Sequence, residues 1–145
     1  MDRVLLDTNV LLDHFETPRP EHRTASALID ALIEHRVTVH VAATSLKDLY
    51  YILARRLSEP IARRAVESVL ATMVILPVDQ ACCRAALAGT EPDFEDGLIR
   101  AAAEAARLDY LISRDTKAFV GSRVPRLSPA DALVELRHTH PYGAD

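Results

Sequence analysis

Asp7, Asp48, Asp96 and Asp115 come from four distant parts of the chain, and each interrupts or closely follows an apolar run. In "LLDTNVLLD" the run stops on Asp7 and resumes at Val10; Asp48 stands in "SLKDLYYIL", Asp96 in "DFEDGLIRAAAEAA" and Asp115 in "YLISRDTKAF". Aspartate is poor strand and poor helix material, so each serves a cap or turn, or is there for its charge. Capping offers a local account of every one. Asp7 precedes a helical pattern, Asp48 follows Ser45 by three residues, Asp96 follows Asp93 by three, and Asp115 could close a turn or cap a short helix containing Phe119. Caps explain helix starts but not the gathering of four acids at one place. Pooled carboxylates repel unless a cation neutralises them, and hard oxygen ligands select Mg²⁺ or Mn²⁺ rather than zinc. Gly97 beside Asp96 fits this reading, since a helix-interior glycine costs about 1 kcal/mol relative to alanine and leaves space near the carboxylate.

The elements that must position these acids are legible as alternating patterns. Short Val/Ile/Leu-rich runs at 4–6, 37–42, 73–78 and 110–112 read as buried strands. Between them apolar residues recur at helical spacing: Ala25, Leu28, Ile29, Leu32 and Ile33; Leu46, Leu49, Tyr50 and Leu53; Ile61, Ala65, Val66, Val69 and Leu70; Ala81, Ala85 and Ala88; Leu98, Ala102, Ala105 and Ala106. A last strand at 126–127 leads to a helix from 128 to about 136, and "HTHPYGAD" reads as a polar tail. Prolines 18, 20, 60, 92 and 129 fall at boundaries, as a missing N–H requires. The pattern predicts one α/β domain over 1–137, a tail over 138–145, and a mainly parallel sheet of four to five strands. Ligands of such sheets bind beyond the carboxyl ends of the strands, and all four aspartates fall at that edge.

Bulk properties narrow the function classes. The chain has 145 residues, 49% apolar and 26% charged, with no Trp, so its core is aliphatic and alanine-rich. A net charge of −4 gives no global attraction to nucleic acid or an anionic membrane. No apolar run approaches the ~20 residues that span a bilayer, and no signal-peptide pattern opens the chain; the expectation is a cytoplasmic protein. The adjacent Cys82 and Cys83 suit neither a relaxed disulfide nor a zinc site and read as reduced thiols. The six histidines form no spaced ligand pair.

These segments resemble the PIN-domain ribonucleases, a group that includes the VapC-type toxins of bacterial toxin–antitoxin pairs. The resemblance rests on "LLDTNVLLD", "SLKDLYYIL", "DFEDGLIRAAAEAARLDYLISRDTKAF" and "VPRLSPADAL", which span the chain in family order. The "LYYIL" helix looks most like a stand-alone bacterial subgroup. The resemblance implies a three-layer α/β/α PIN-like fold and a Mg²⁺- or Mn²⁺-dependent endoribonuclease that leaves 5′-phosphate and 3′-hydroxyl ends. Asp7, Asp96 and Asp115 match the first, third and fourth family acids. Asp48 matches the second, more often Glu in the toxins, and its shorter side chain draws the oxygen back by one methylene. Asp7 and Asp96 are therefore expected as principal metal ligands, with Asp115 direct or through water. Asp48 would orient water or a second ion. Thr8, Asn9 and Ser45 are expected supporting groups, and Asp93 and Glu95 reserve acids.

An acidic enzyme still has to hold an anionic strand. Between 47 and 64 the chain carries Lys47, Arg55, Arg56, Arg63 and Arg64 against Asp48 and Glu59, five positive charges against two negative. Arg55 and Arg56, with Arg114 and Lys117 flanking Asp115, are the candidate phosphate contacts; the competing account is a solvated helix face. Expected partners are an RNA substrate, a small antitoxin protein and a second copy of the chain in a homodimer, with no membrane. A different class of function is a degenerate PIN module that binds RNA or protein without cutting, which the Asp48 departure permits. A phosphoryl-accepting receiver domain would need a lysine at a late strand end, where Arg114 and Asp115 stand instead.

Overall fold

A computed structural model describes residues 1–139. Five strands, β1 (Arg3–Leu6), β2 (Thr38–Ala42), β3 (Val74–Leu76), β4 (Tyr110–Ile112) and β5 (Arg126–Leu127), form one sheet of order β3-β2-β1-β4-β5. Every pairing is parallel, with Leu5 opposite His40 on one side and Leu111 on the other. The order reverses at β1, so the chain leaves the central strand at a topological switch point, the position where such sheets open a crevice.

Among the described residues seven helices cover the sheet: α1 (Thr8–Phe15), α2 (His22–Glu34), α3 (Ala43–Arg56), α4 (Glu59–Thr72), α5 (Gln80–Ala88), α6 (Phe94–Ala105) and α7 (Pro129–Thr139). Alternation along β1 divides the core in two. Val4 and Leu6 face Val10, Leu11, Leu28, Leu32, Leu49, Leu53 and Val69, on the side of α1 to α4 and α7. Leu5 faces the other way, to Ile99, Ala102, Leu111 and Phe119 beneath α5 and α6. This is the expected three-layer α/β/α arrangement, and the five strands fall within a residue or three of the apolar runs. The last helix runs past the expected 136 to Thr139; residues 140–145 of the expected tail lie outside the described residues. Cys82 is buried and Cys83 partly exposed, and both are free thiols.

Gly97 is explained by packing rather than by room for a carboxylate. A Cβ built there would lie 3.0 Å from Ala86 Cβ and 3.1 Å from Ala86 Cα, so glycine and alanine let α5 and α6 touch backbone to backbone. Asp96 is the next residue, and the same contact sets the depth of its helix in the molecule. Gly97→Val is therefore expected to lower stability by roughly 1–3 kcal/mol through overpacking, measured by urea denaturation. A gain in stability, as helix propensity alone would give, would remove this account.

Candidate active site

Asp7 ends β1 and begins α1. Its backbone N–H still belongs to the sheet, donating to the Ile112 carbonyl at 2.9 Å, while its side chain already accepts from Thr8 N at 2.8 Å as the N-cap of α1. The residue is only 5% exposed. Its second oxygen accepts from Ser113 Oγ at 2.6 Å and from Asn9 Nδ2 at 3.3 Å. Capping and pooling are thus not alternatives at this position; the cap geometry is what aims the carboxylate. Even so, burial holds the Asp7 carboxyl above the usual carboxylate range, with the nearby charge of Asp115 adding to the effect and the bonds from Ser113 and Thr8 opposing it.

Ser113, absent from the sequence-based candidates, ties the two ends of the site together. Fully buried after β4, its hydroxyl donates to Asp7 and accepts from the backbone N–H of Asp115 at 3.0 Å. Asn9 adds to the same junction, donating to Ser113 Oγ at 3.2 Å and accepting from Arg114 N at 3.3 Å. The only sequence signal for Ser113 was a hydroxyl directly after an apolar strand, two residues before an acid. Asp115 closes the following turn, with Oδ1 accepting from Lys117 N and Ala118 N at 2.9 and 3.0 Å.

Asp48 and Asp96 enter from the flanking helices. Helix α3 starts directly after β2, at Ala43, so Ser45 lies inside it and the capping-box account of Ser45 and Asp48 does not hold. Buried Ser45 instead accepts from Thr8 Oγ1 at 2.8 Å. The Asp48 carboxylate stands 2.8 Å from Lys47 Nζ. Asp93 is the N-cap of α6, accepting from Glu95 N at 2.7 Å. Asp96, half-buried one turn in, has its carboxyl pushed up to about 6, first by burial and then by the charges of Asp7, Asp93, Asp115 and Glu91.

Asp7, Asp48, Glu95, Asp96 and Asp115 line a single cleft of about 270 Å³, with Thr8, Asn9, Leu12, Ile52 and Ile99 as its remaining walls. No basic side chain lines it. Asp93 is not part of the wall, whereas the reserve acid Glu95 is. Among the described residues no three His, Cys, Asp or Glu side chains stand in ready-made ligand geometry; the acids ring the cleft instead of meeting at a point. A larger depression of about 430 Å³ between α5, α6 and the loop after β4 contains Arg100, but its guanidinium is taken up by Glu91, Glu104 and the Ala85 carbonyl.

The expected phosphate contacts divide. Arg114 grips Asp13, which is fully buried on α1, through Nε at 2.6 Å and Nη2 at 3.2 Å. Arg56 is bonded to Glu16, itself bonded to Arg19, which also reaches Asp13. These two arginines hold the structure on the far side of α1. Arg55 and Lys117 are exposed, and Arg55 has no ion-pair partner among the described residues.

Residues 3–117 match the family model for the PIN domain. The chain belongs to the PIN-domain family. Its fold is similar to that of a toxin–antitoxin complex from Klebsiella pneumoniae, with 25% identity, TM-score 0.67, and 87% of this chain and 97% of that chain covered. It is also similar to VapBC2 from Rickettsia felis bound to a promoter DNA fragment, at 14% identity, TM-score 0.68, covering 87% and 98%. VapC20 of Mycobacterium tuberculosis, a toxin that cleaves the sarcin-ricin loop, shares the fold at 16% identity and TM-score 0.65, covering 74% and 86%. No curated protein matches the chain. Among the described residues no helix is long and apolar enough to cross a membrane.

Two outcomes follow from the electrostatics. Because the folded Asp96 carboxyl titrates near 6 against an ordinary value of 3.8, the native state holds the proton more tightly than the unfolded one. Its contribution to stability is complete below about 4 and lost as pH rises through about 6. In chelator, the melting temperature of Asp96→Asn should therefore exceed that of the parent at pH 7 and converge with it near pH 4; parallel pH profiles would remove the crowding of acids from the account. Arg114→Gln leaves Asp13 with only Arg19, and breaking such a buried pair is expected to cost roughly 3 kcal/mol, read by denaturant midpoint.

Proposed function

We propose that this PIN-domain protein is a divalent-metal-dependent endoribonuclease and the toxin of a toxin–antitoxin pair. The observation that carries the reading is the cleft itself, five carboxylates lining one wall-to-wall space with no cation of the protein among them. Such a pool is unfavourable in the apo protein and favourable around a hard cation, and its all-oxygen donors fit Mg²⁺ or Mn²⁺. Asp7 and Asp96 would be the principal ligands, with Asp115 direct or through water, its Oδ1 already committed to its own turn. A bound divalent cation supplies a more acidic water and neutralises charge on the phosphoryl oxygens.

The chain's own residues do the rest. Thr8, Ser45, Asn9 and Ser113 fix the Asp7 carboxylate and the Asp115 turn, the kind of outer support on which metal sites depend. Asp48 would orient the attacking water or a second ion once freed from Lys47, and Lys47 is then available to the substrate phosphate. Leu12, Ile52 and Ile99 give the cleft apolar walls that strengthen each charge interaction inside it. The Klebsiella pneumoniae likeness supports a small antitoxin as partner, and a homodimer goes with the same reading. A non-cleaving binding module is the second reading, favoured by the Lys47–Asp48 pair and by the shorter acid at 48.

Asp7→Asn or Asp96→Asn is expected to abolish Mg²⁺- or Mn²⁺-dependent cleavage of a mixed RNA pool while the fold survives. Asp48→Asn should cost only about tenfold, or ~1.4 kcal/mol of barrier. Metal at a hundredfold excess over its dissociation constant should stabilise the parent by about 2.7 kcal/mol and Asp96→Asn much less. Cleavage undiminished in both Asp7 and Asp96 variants, with contaminating nuclease excluded, would sink the assignment; metal binding without any cleavage would select the binding module.

A further inference from the structure

Four residues of α3 stand at successive turns on its solvent side: Ala43, Lys47, Tyr51 and Arg55, all exposed. Spaced four apart, they form a slanting row that rises about 6 Å per step and winds around the helix. The residues that follow Lys47 and Tyr51 on the same helix, Asp48 and Ile52, line the acid cleft, so Lys47 and Tyr51 border it and Arg55 stands one turn beyond. Exposed cations on a helix face are ordinary; the aromatic ring set between them is what distinguishes this row. Tyr51 is 60% exposed in a chain with four tyrosines, three phenylalanines and no Trp.

Its placement is not loose. The ring packs edge to face against Tyr50, centroids 5.1 Å apart at 86°. Tyr50 is in turn faced by the Arg63 guanidinium at 6.0 Å, which Glu59 holds at 3.0 Å. A ring fixed from behind and open in front has already lost much of the rotamer freedom that binding would otherwise cost. Lys47 spends one of its three donors on Asp48 and keeps the others.

We infer that the Lys47–Tyr51–Arg55 ridge is the track along which single-stranded RNA enters the cleft, with Tyr51 stacking on an unpaired base and the two cations contacting phosphates on either side of it. The inference rests on the endoribonuclease reading and adds to it the residues outside the cleft that guide the strand, Tyr51 above all. Aromatic platforms interleaved with cations bind single strands because every unpaired base offers a π-face, whereas a duplex keeps its bases stacked on one another. Charge complementarity favours RNA over a protein segment as occupant, since the ridge is positive while the chain as a whole is negative.

The test is binding of short labelled oligoadenylate and oligouridylate, and of an RNA duplex, in chelator so that nothing is cut. Parent, Tyr51→Ala, Tyr51→Phe and Arg55→Gln are compared at several salt concentrations, with thermal unfolding as the check that each variant is folded. Tyr51→Ala is expected to weaken single-strand binding roughly tenfold, Tyr51→Phe about twofold or less, and duplex binding is expected to be weak and unchanged. Arg55→Gln should flatten the salt slope by about 0.7. Equal single-strand affinity for parent and Tyr51→Ala overturns the inference, leaves RNA cleavage standing, and returns the ridge to a protein partner. Equal losses on single strand and duplex overturn the stacking role. A parent that neither binds nor, with metal restored, cleaves RNA overturns the inference and the reading beneath it together.

Discussion

Burying the Asp7 carboxylate at the end of the central strand costs several kcal/mol unless hydrogen bonds replace the lost water. Three donors do so, two from the start of the helix that follows, Thr8 N and Asn9, and one from the neighbouring strand end, Ser113. Each donor is also a tie. Ser113 draws in the Asp115 turn, Asn9 draws in the backbone of Arg114, and Thr8 reaches across to Ser45 on α3. One buried charge thereby fixes the mutual positions of β1, α1, α3 and β4 at the carboxyl edge of the sheet.

The charges of the protein are sorted into two kinds. Behind α1, Asp13 and Glu16 are matched by Arg114, Arg19 and Arg56. In the cleft, the acids face one another with only Lys47 at the margin. The first set costs little at neutral pH because every buried carboxylate has a guanidinium. The second has only Lys47 against it, paired with Asp48; burial first, and the neighbouring acids after it, raise the Asp7 and Asp96 carboxyls. Raised carboxyls gathered in one cleft mark it as a candidate site.

Most of the fold could be read from periodicity, because a parallel sheet buried on both faces leaves short β-branched runs separated by helical repeats. The topology fixed that all four aspartates lie at one edge. Side-chain pairing is a different matter. Nothing local distinguishes Arg114, whose partner Asp13 is a hundred residues away in the chain, from a surface arginine beside Asp115. Ser113 was silent for the same reason, since one serine at a strand end is ordinary until the acid beside it is known. Gly97 stands out in the sequence, but its cause lies in Ala86, on another helix.

Both outermost strands are short, three residues in β3 and two in β5. A rim of so few free amides and carbonyls is a poor template for another strand. The longer runs that could zip onto a neighbour, β1 and β2, are sealed between others. Growth of the sheet from molecule to molecule is thereby closed off at both margins, even though its interior is among the most apolar sequence in the chain. The helix faces and loops are the broader surfaces left to a partner, and an association made there can be undone without unravelling the sheet that holds the acids in place.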